Sequence, residues 1–144
     1  MADFTGKLTD APTSGQVLPR TVRDLGALIT LTAAGAATTN SADQVNTSSR
    51  GVRVTVDLTK NSGTIDVVVK IQTKDKASGK YIDRLSSVSL TATGTTEYIV
   101  HPDIAAVNNV SALNFIGEEW RVVVVSGAGS SPNFTATVGA CLLP

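Results

Sequence analysis

The chain has 144 residues, with twelve basic and twelve acidic side chains, one histidine and one cysteine. That length suits one domain with a sizeable core, and the balanced charge gives no general field to attract nucleic acid or an anionic membrane. One His and one Cys are too few ligands for a zinc site, and apolar runs such as Val122 to Val125 fall far short of the roughly 20 residues of a membrane helix.

Thr and Val together supply 37 of the 144 residues. Their branched Cβ atoms are stiff in helices and pack well on a pleated sheet, so the composition points to strands. Residues 1–25 carry turn-forming clusters around Gly6, Pro12 to Gly15 and Pro19. The apolar residues there, Phe4, Leu8, Val17, Leu18, Val22 and Leu25, follow no constant period. This stretch reads as an extended N-terminal arm, with the folded domain spanning residues 26–144. Leu28 to Leu31 is a short strand candidate, Ala33 to Thr39 suits a loop, and residues 40–50 are polar and loop-like.

A period of two then becomes clear. Val52, Val54, Val56 and Leu58 alternate with Arg53, Thr55, Asp57 and Thr59. After a turn at Asn61-Ser62-Gly63, the residues Ile65, Val67, Val69 and Ile71 alternate in the same way, and the two segments are expected to pair as a hairpin. A turn over Asp75 to Lys80 leads to a strand from Tyr81 to about Leu90, and Thr93-Gly94-Thr95 turns into another over Glu97 to Val100. Pro102 stops that strand and is expected to open one helical turn through Asp103 to Val107. Residues 108–117 form a crossing loop whose Phe115 and Ile116 are available to plug one end of a core. Trp120 to Val125 and Phe134 to Leu143 are the last strands, joined by a Gly/Ser/Pro hairpin loop. The pattern predicts an all-β antiparallel sandwich, jelly-roll- or Ig-like, of seven or eight strands.

Candidate chemistry is sparse. His101 reads as a strand-terminating surface residue, and Cys141 as a structural, buried one with nothing nearby in sequence to lower its pKa. Glu118 and Glu119 point to opposite faces of a strand entry, which makes a shared metal awkward. The Gly127-Ala128-Gly129 run is followed by a strand rather than the helix of a phosphate loop. Lys74, Lys76, Lys80 and Arg84 gather around one turn, where they read as a solubilising, edge-guarding set rather than an anion site. Asn46, Asn109 and Asn133 head glycosylation sequons; the first 25 residues lack an apolar signal-peptide core, so these read as products of a Ser/Thr-rich chain made in the cytoplasm. No catalytic, cofactor-binding or metal-binding residue is assigned, and no cofactor is expected. Val67 to Val69 and Val122 to Val125 are apolar on both faces, so their outer side chains Val68, Val123 and Val125 are either covered within the chain or part of a subunit interface.

From Gly51 onward the chain resembles small minor capsid and capsid decoration proteins of long-tailed bacteriophages. The matching residues are Gly51 to Val56, Lys70-Ile71-Gln72 with Asp75, Ser78 to Tyr81, Leu90 to Thr95, His101-Pro102, Trp120-Arg121-Val122, and Val138-Gly139-Ala140 with the final Leu142-Leu143-Pro144. These cover about two-thirds of the chain and are features of strand and turn rather than of chemistry. The resemblance implies a virion structural protein, made in the host cytoplasm, that binds the outside of the assembled capsid and stabilises it. Its implied partners are the major capsid protein of the same virion and further copies of itself, with a trimer favoured; neither nucleic acid nor membrane is expected. The alternatives are a tail tube or head-completion subunit and a host-glycan-binding β module. Interface candidates are Phe4, Leu8, Val17, Leu18, Val22, Val68, Val123 and Val125.

Overall fold

Alternation in the sequence becomes alternation of burial. In the segment from Gly51, the side chains of Val52, Val54, Val56 and Leu58 are buried while Asp57 and Thr59 are exposed. The computed structural model describes residues 22–127 and 133–144. These form ten strands and no helix: β1 (Arg23–Ala34), β2 (Ala37–Asn40), β3 (Gln44–Val45), β4 (Gly51–Ser62), β5 (Val67–Lys74), β6 (Tyr81–Ser86), β7 (Gly94–Val100), β8 (Ser111–Ala112), β9 (Glu119–Ser126) and β10 (Asn133–Leu143). Of the expected arm, residues 1–21 lie outside the described residues, and β1 begins at Arg23.

One sheet has the order β1-β10-β4-β7-β8 and the other β2-β9-β5-β6, with β3 also paired to β9. All described pairs are antiparallel except β7 with β8. Setting aside the two-residue strands β3 and β8, the remaining eight follow the winding of a jelly roll, with four strands in each of two packed sheets. The core lies between the layers. Ile29, Val52, Val54, Val56, Tyr98, Phe134 and Val138 come from one sheet, and Val67, Val69, Ile71, Trp120, Val122 and Val124 from the other.

This topology corrects several expectations. Val52–Leu58 and Val67–Ile71 do not form a hairpin: β4 pairs with β10 and β7, whereas β5 pairs with β9 and β6. Alternation fixes which face of a strand is buried but not which strand supplies its hydrogen bonds. The two segments face each other across the core, and Ile65, in the link between them, is buried. The last two strands are likewise in different sheets, so their link is not a hairpin loop. Ala33 to Thr39 belongs largely to β1 and β2, and after Pro102 the chain makes a turn rather than a helical turn. Ile116 does plug the core, but Phe115 is exposed.

Two glycines allow close approach. At Gly51, a Cβ would strike the Val100 carbonyl oxygen and the His101 ring. Gly26, at φ 68°, sits where the β1–β10 register slips between Asp24 and Ala27, a glycine bulge. The sole tryptophan, Trp120, is fully buried, and its Nε1 has no hydrogen-bond partner among the described residues. Its fluorescence therefore reports directly on the core. Phe134→Ala is expected to cost about 3–5 kcal/mol in denaturant titrations followed by that signal. Thr137→Ala, on the exposed face of the same strand, is expected to change stability by no more than about 0.5 kcal/mol.

Candidate interaction surface

The chemical candidates are each engaged in structural contacts. His101 Nε2 lies 2.8 Å from the backbone oxygen of Pro144, and its Nδ1 accepts the Asp103 N–H at 3.1 Å, which makes Nε2 the donor. Asp103 is held by both terminal nitrogens of Arg50, at 2.5 and 3.1 Å. Cys141 is not in the core: it is half-buried in the outer row of its sheet, opposite Arg53, whose Nη2 lies 3.8 Å from its sulfur. The reason is the strand period, because Ala140 and Leu142 take the inward positions. Asn46 is buried, and its amide nitrogen donates to the carbonyls of Ser49 and Ile116. Among the described residues, no group of three or more His, Cys, Asp or Glu could hold a metal.

Two members of the basic cluster, Lys74 and Lys76, are ion-paired with carboxylates, and Arg84 bonds a hydroxyl. Lys74 Nζ lies 3.3 Å from Asp43 and 3.1 Å from Glu119, Lys76 pairs with Glu118 at 2.7 Å, and Arg84 Nε donates to Thr73 Oγ1. This splits Glu118 and Glu119 between different lysines. The pairs extend into a network on the outer face of the β2-β9-β5-β6 sheet. Tyr81 donates to Asp43 at 2.6 Å, and the Arg121 guanidinium lies 3.4 Å from the centre of the Tyr81 ring. Arg121 Nε donates to Gln72 Oε1, Gln72 Nε2 to Asp83 Oδ1, and Lys70 Nζ to Asp83 Oδ2. Asp43, Glu119 and Asp83 thus balance Lys74, Arg121 and Lys70. The register places Gln72 directly opposite both Arg121 and Asp83, so pairing alone lines these groups up.

The network displaces its own titrations. The Tyr81 hydroxyl holds the Asp43 carboxyl below its ordinary value, with Lys74 adding to the effect, and Asp43 in turn raises the Tyr81 phenol. Burial pushes Asp83 up, but Lys70 and Gln72 outweigh it and leave that carboxyl low as well.

A different surface carries exposed apolar side chains. β4 and β9 begin, and β5, β7 and β10 end, at one end of the sandwich, where Asn46 and Arg50 bond to Ile116. Eight large apolar residues are exposed among those described. Val107, Val110, Leu113 and Phe115 lie on the β7–β9 link, and Val22 and Val45 lie beside the same end. Ile82 and Val88 are the other two. The link is well anchored: Asn109 Nδ2 donates to Ser86 O at 2.8 Å, Ser111 Oγ donates to Ala105 O at 2.7 Å, and the backbone of β8 pairs with β7. Its apolar tips are therefore presented rather than loosely exposed. A groove of about 380 Å³ runs between Arg84–Ser86 and residues 106–113, and a hollow of about 570 Å³ lies between residues 46–50, Phe115 and Glu118.

Of the interface candidates, Phe4, Leu8, Val17 and Leu18 lie outside the described residues. Val22 is exposed just before β1, while Val68 and Val125 are half-buried opposite each other on the outer sheet face. Val123 is only 3% exposed, so it offers a partner almost nothing. The sequence reading missed Val107, Val110 and Leu113. Their signal was present as apolar residues within a segment that lacks the period of a strand or helix.

No family model matches the chain, and no curated protein matches it. Among solved structures it is similar to a chain in the structure of infectious bursal disease virus, Gx strain, with a TM-score of 0.50 at 9% identity over 91% of this chain. This chain spans 37% of that viral chain, and the likeness is one of fold. A second similar chain comes from Bacillus endospore appendages, described as disulfide-linked pili, with a TM-score of 0.37 and 10% identity over 92% of this chain and 100% of that one. Fold and surface together define an all-β sandwich with an apolar loop end.

The lowered carboxyls give a signed pH dependence. Both lie below the ordinary value of 3.8, so their stabilisation is complete above that value and is lost as pH falls through the folded-state values. An Asp43→Asn, Asp83→Asn variant is expected to be less stable than wild type at pH 7, by less than about 1 kcal/mol per pair because the groups are exposed. The difference should narrow as pH falls below 3.8 and close once both carboxyls are protonated in the folded state, as followed by denaturant titrations.

Proposed function

We propose that this chain is a structural protein of a virus particle that attaches to the outside of the assembled capsid and reinforces it. The observation that carries the reading is the anchored β7–β9 link with Val107, Val110, Leu113 and Phe115 exposed along it. A rigid sandwich that presents exposed apolar side chains on an anchored link is suited to docking on a large partner surface. The resemblance of the segment from Gly51 to phage decoration proteins supports the capsid as that surface, and the jelly-roll winding is compatible with it. In this reading the partner is the major capsid protein of the same particle, the chain works without catalysis or cofactor, and residues 1–21 add contacts to the shell or to a neighbouring subunit.

Mass spectrometry of purified particles is expected to find the chain in many copies, and its absence would sink the proposal. A copy number fitting a single ring would point instead to a head-completion or tail subunit. Leu113→Asp and Phe115→Asp each place a charge in the proposed contact, and each is expected to weaken binding to capsids lacking the protein by about tenfold or more. Both side chains are exposed, so thermal unfolding should be unchanged. Deleting residues 1–20 is expected to leave the unfolding of the sandwich nearly unchanged and to weaken capsid attachment; unaltered attachment would assign that segment no part in docking.

A further inference from the structure

We infer that the second half of β1 is a self-complementary sheet edge through which two copies of this chain pair across a two-fold axis. The inference stands apart from the capsid reading and rests on a contrast between the molecule's own edges. An unpaired strand edge offers a row of free N–H and C=O groups to any other chain, and folded proteins blunt such edges with charge, bulges, brevity or covering loops. Three of the four sheet margins here do so. β8 is two residues long and carried on the β7–β9 link. β6 carries Asp83 and Arg84, its register with β5 slips between Ile71 and Gln72, and the Asn109 amide takes up its Ser86 carbonyl. β2 spans four residues and β3, which continues the same margin along β9, two, with the charged Asp43 between them.

β1 spans twelve, and only its first half is protected. Arg23, Asp24 and two register shifts occupy residues 23–29. From Ile29 to Ala34 the strand pairs residue for residue with β10 and contains no charge, glycine or proline. No other described segment bonds to its outer backbone. Ile29 is buried, Leu31 is half-buried against the core, and Thr30 and Thr32 are exposed on the other face. Leu31 remains half-covered because the sheet ends there.

The pattern suits a second copy of the same strand. An antiparallel copy centred on Leu31 sets Leu31 against its counterpart on the inner face, and Thr30 against the copy's Thr32 on the outer face. The alternation therefore stays in phase through the joint. The row Thr30–Thr137–Asp57 and the row Thr32–Thr135–Thr59 then run on into the copy, giving one continuous sheet of ten strands, five from each chain. Pairing of identical edges is closed and isologous. A three-fold ring would instead need a second, complementary edge, and the opposite margins are the blunted ones.

The test is self-association of the full chain, by sedimentation equilibrium over a concentration series, with Trp120 fluorescence as the folding control. Wild type is expected to form dimers. Thr30→Lys, Thr32→Lys places two pairs of lysines directly opposite each other across the joint and should weaken the dimer by roughly tenfold or more without altering unfolding. The Thr30→Glu, Thr32→Glu variant should be weakened likewise, and an equimolar mixture of the two variants should recover association as a heterodimer. A wild type that stays monomeric to about 100 µM, far above a micromolar Kd, would overturn the inference. So would lysine variants that dimerise as well as wild type, or a mixture that fails to associate. Association that appears only after deletion of residues 1–20 would show that the chain covers this edge itself, and would also overturn it.

Discussion

The fold depends on β9 and β10, the strands inserted at the centre of the two sheets. β10 lies between β1 and β4, and β9 lies between β5 and the pair β2 and β3. Without them β1, β2 and β3 have no partner within their sheets: Ala37 pairs with Ser126 and Ile29 with Val138. The first three strands are thus held by residues near the opposite end of the sequence. Such distant closure costs chain entropy before any contact offsets it, which makes slow, late-closing folding the natural consequence of this topology. What compensates is burial on the inner faces: Trp120, Val122 and Val124 on β9, and Phe134, Ala136, Val138 and Leu142 on β10, are all at or near zero exposure. A fully buried side chain of the Val, Leu or Phe kind contributes roughly 1.5–3 kcal/mol.

The same winding decides where interactions with other molecules fall. Successive strands mostly change sheets, so their connections collect at the two ends of the sandwich, and the long ones, residues 41–50 and 101–118, share one end. Sheet interiors are committed to the core, and their outer faces are filled by Thr rows on one side and by the charge-balanced Tyr81–Arg121–Asp83 network on the other. Most of the exposed large apolar side chains are left to the loops, with Val45 and Ile82 on short edge strands. This division of labour is a common one, in which a rigid frame positions segments whose sequence is free to serve contact rather than packing.

Burial was legible wherever one face was apolar and the other polar. Val52 to Leu58, Val67 to Ile71 and the inward placing of Trp120 beside Val122 and Val124 could all be read from period two alone. Partnership was not legible, because a strand facing another across the core and a strand beside it share the same alternation; hence the mistaken β4–β5 hairpin. β1 was read as only four residues, since Gly26 and the bulged Leu28 interrupt its period. For the candidate surface, the exposed tips Val107, Val110 and Leu113 could not be told from plugs like Ile116. Apolar loop residues point inward or outward according to backbone anchors such as Asn109 to Ser86, which join residues distant in sequence.

The doubly apolar strands show why exposure has to be argued from position. Val123 sits on the outer face of β9, yet it is covered, because β9 is central and its row is flanked by Asn40 on β2 and Lys70 on β5. Elsewhere the outer faces achieve the same result through composition. Thr has the branched Cβ that suits a strand as Val does, but it carries a hydroxyl that keeps its surface wettable. On β4 and β10, Val56 and Val138 face the core while Thr55, Thr59, Thr135 and Thr137 face out, so both faces favour the extended backbone and only one drives burial. The high Thr and Val content thus combines a strong preference for strands with a sheet face that does not adhere. Apolar side chains are left uncovered where this pairing of the two residues breaks down, as at the tips of the β7–β9 link and at the half-buried Leu31 on the sheet edge.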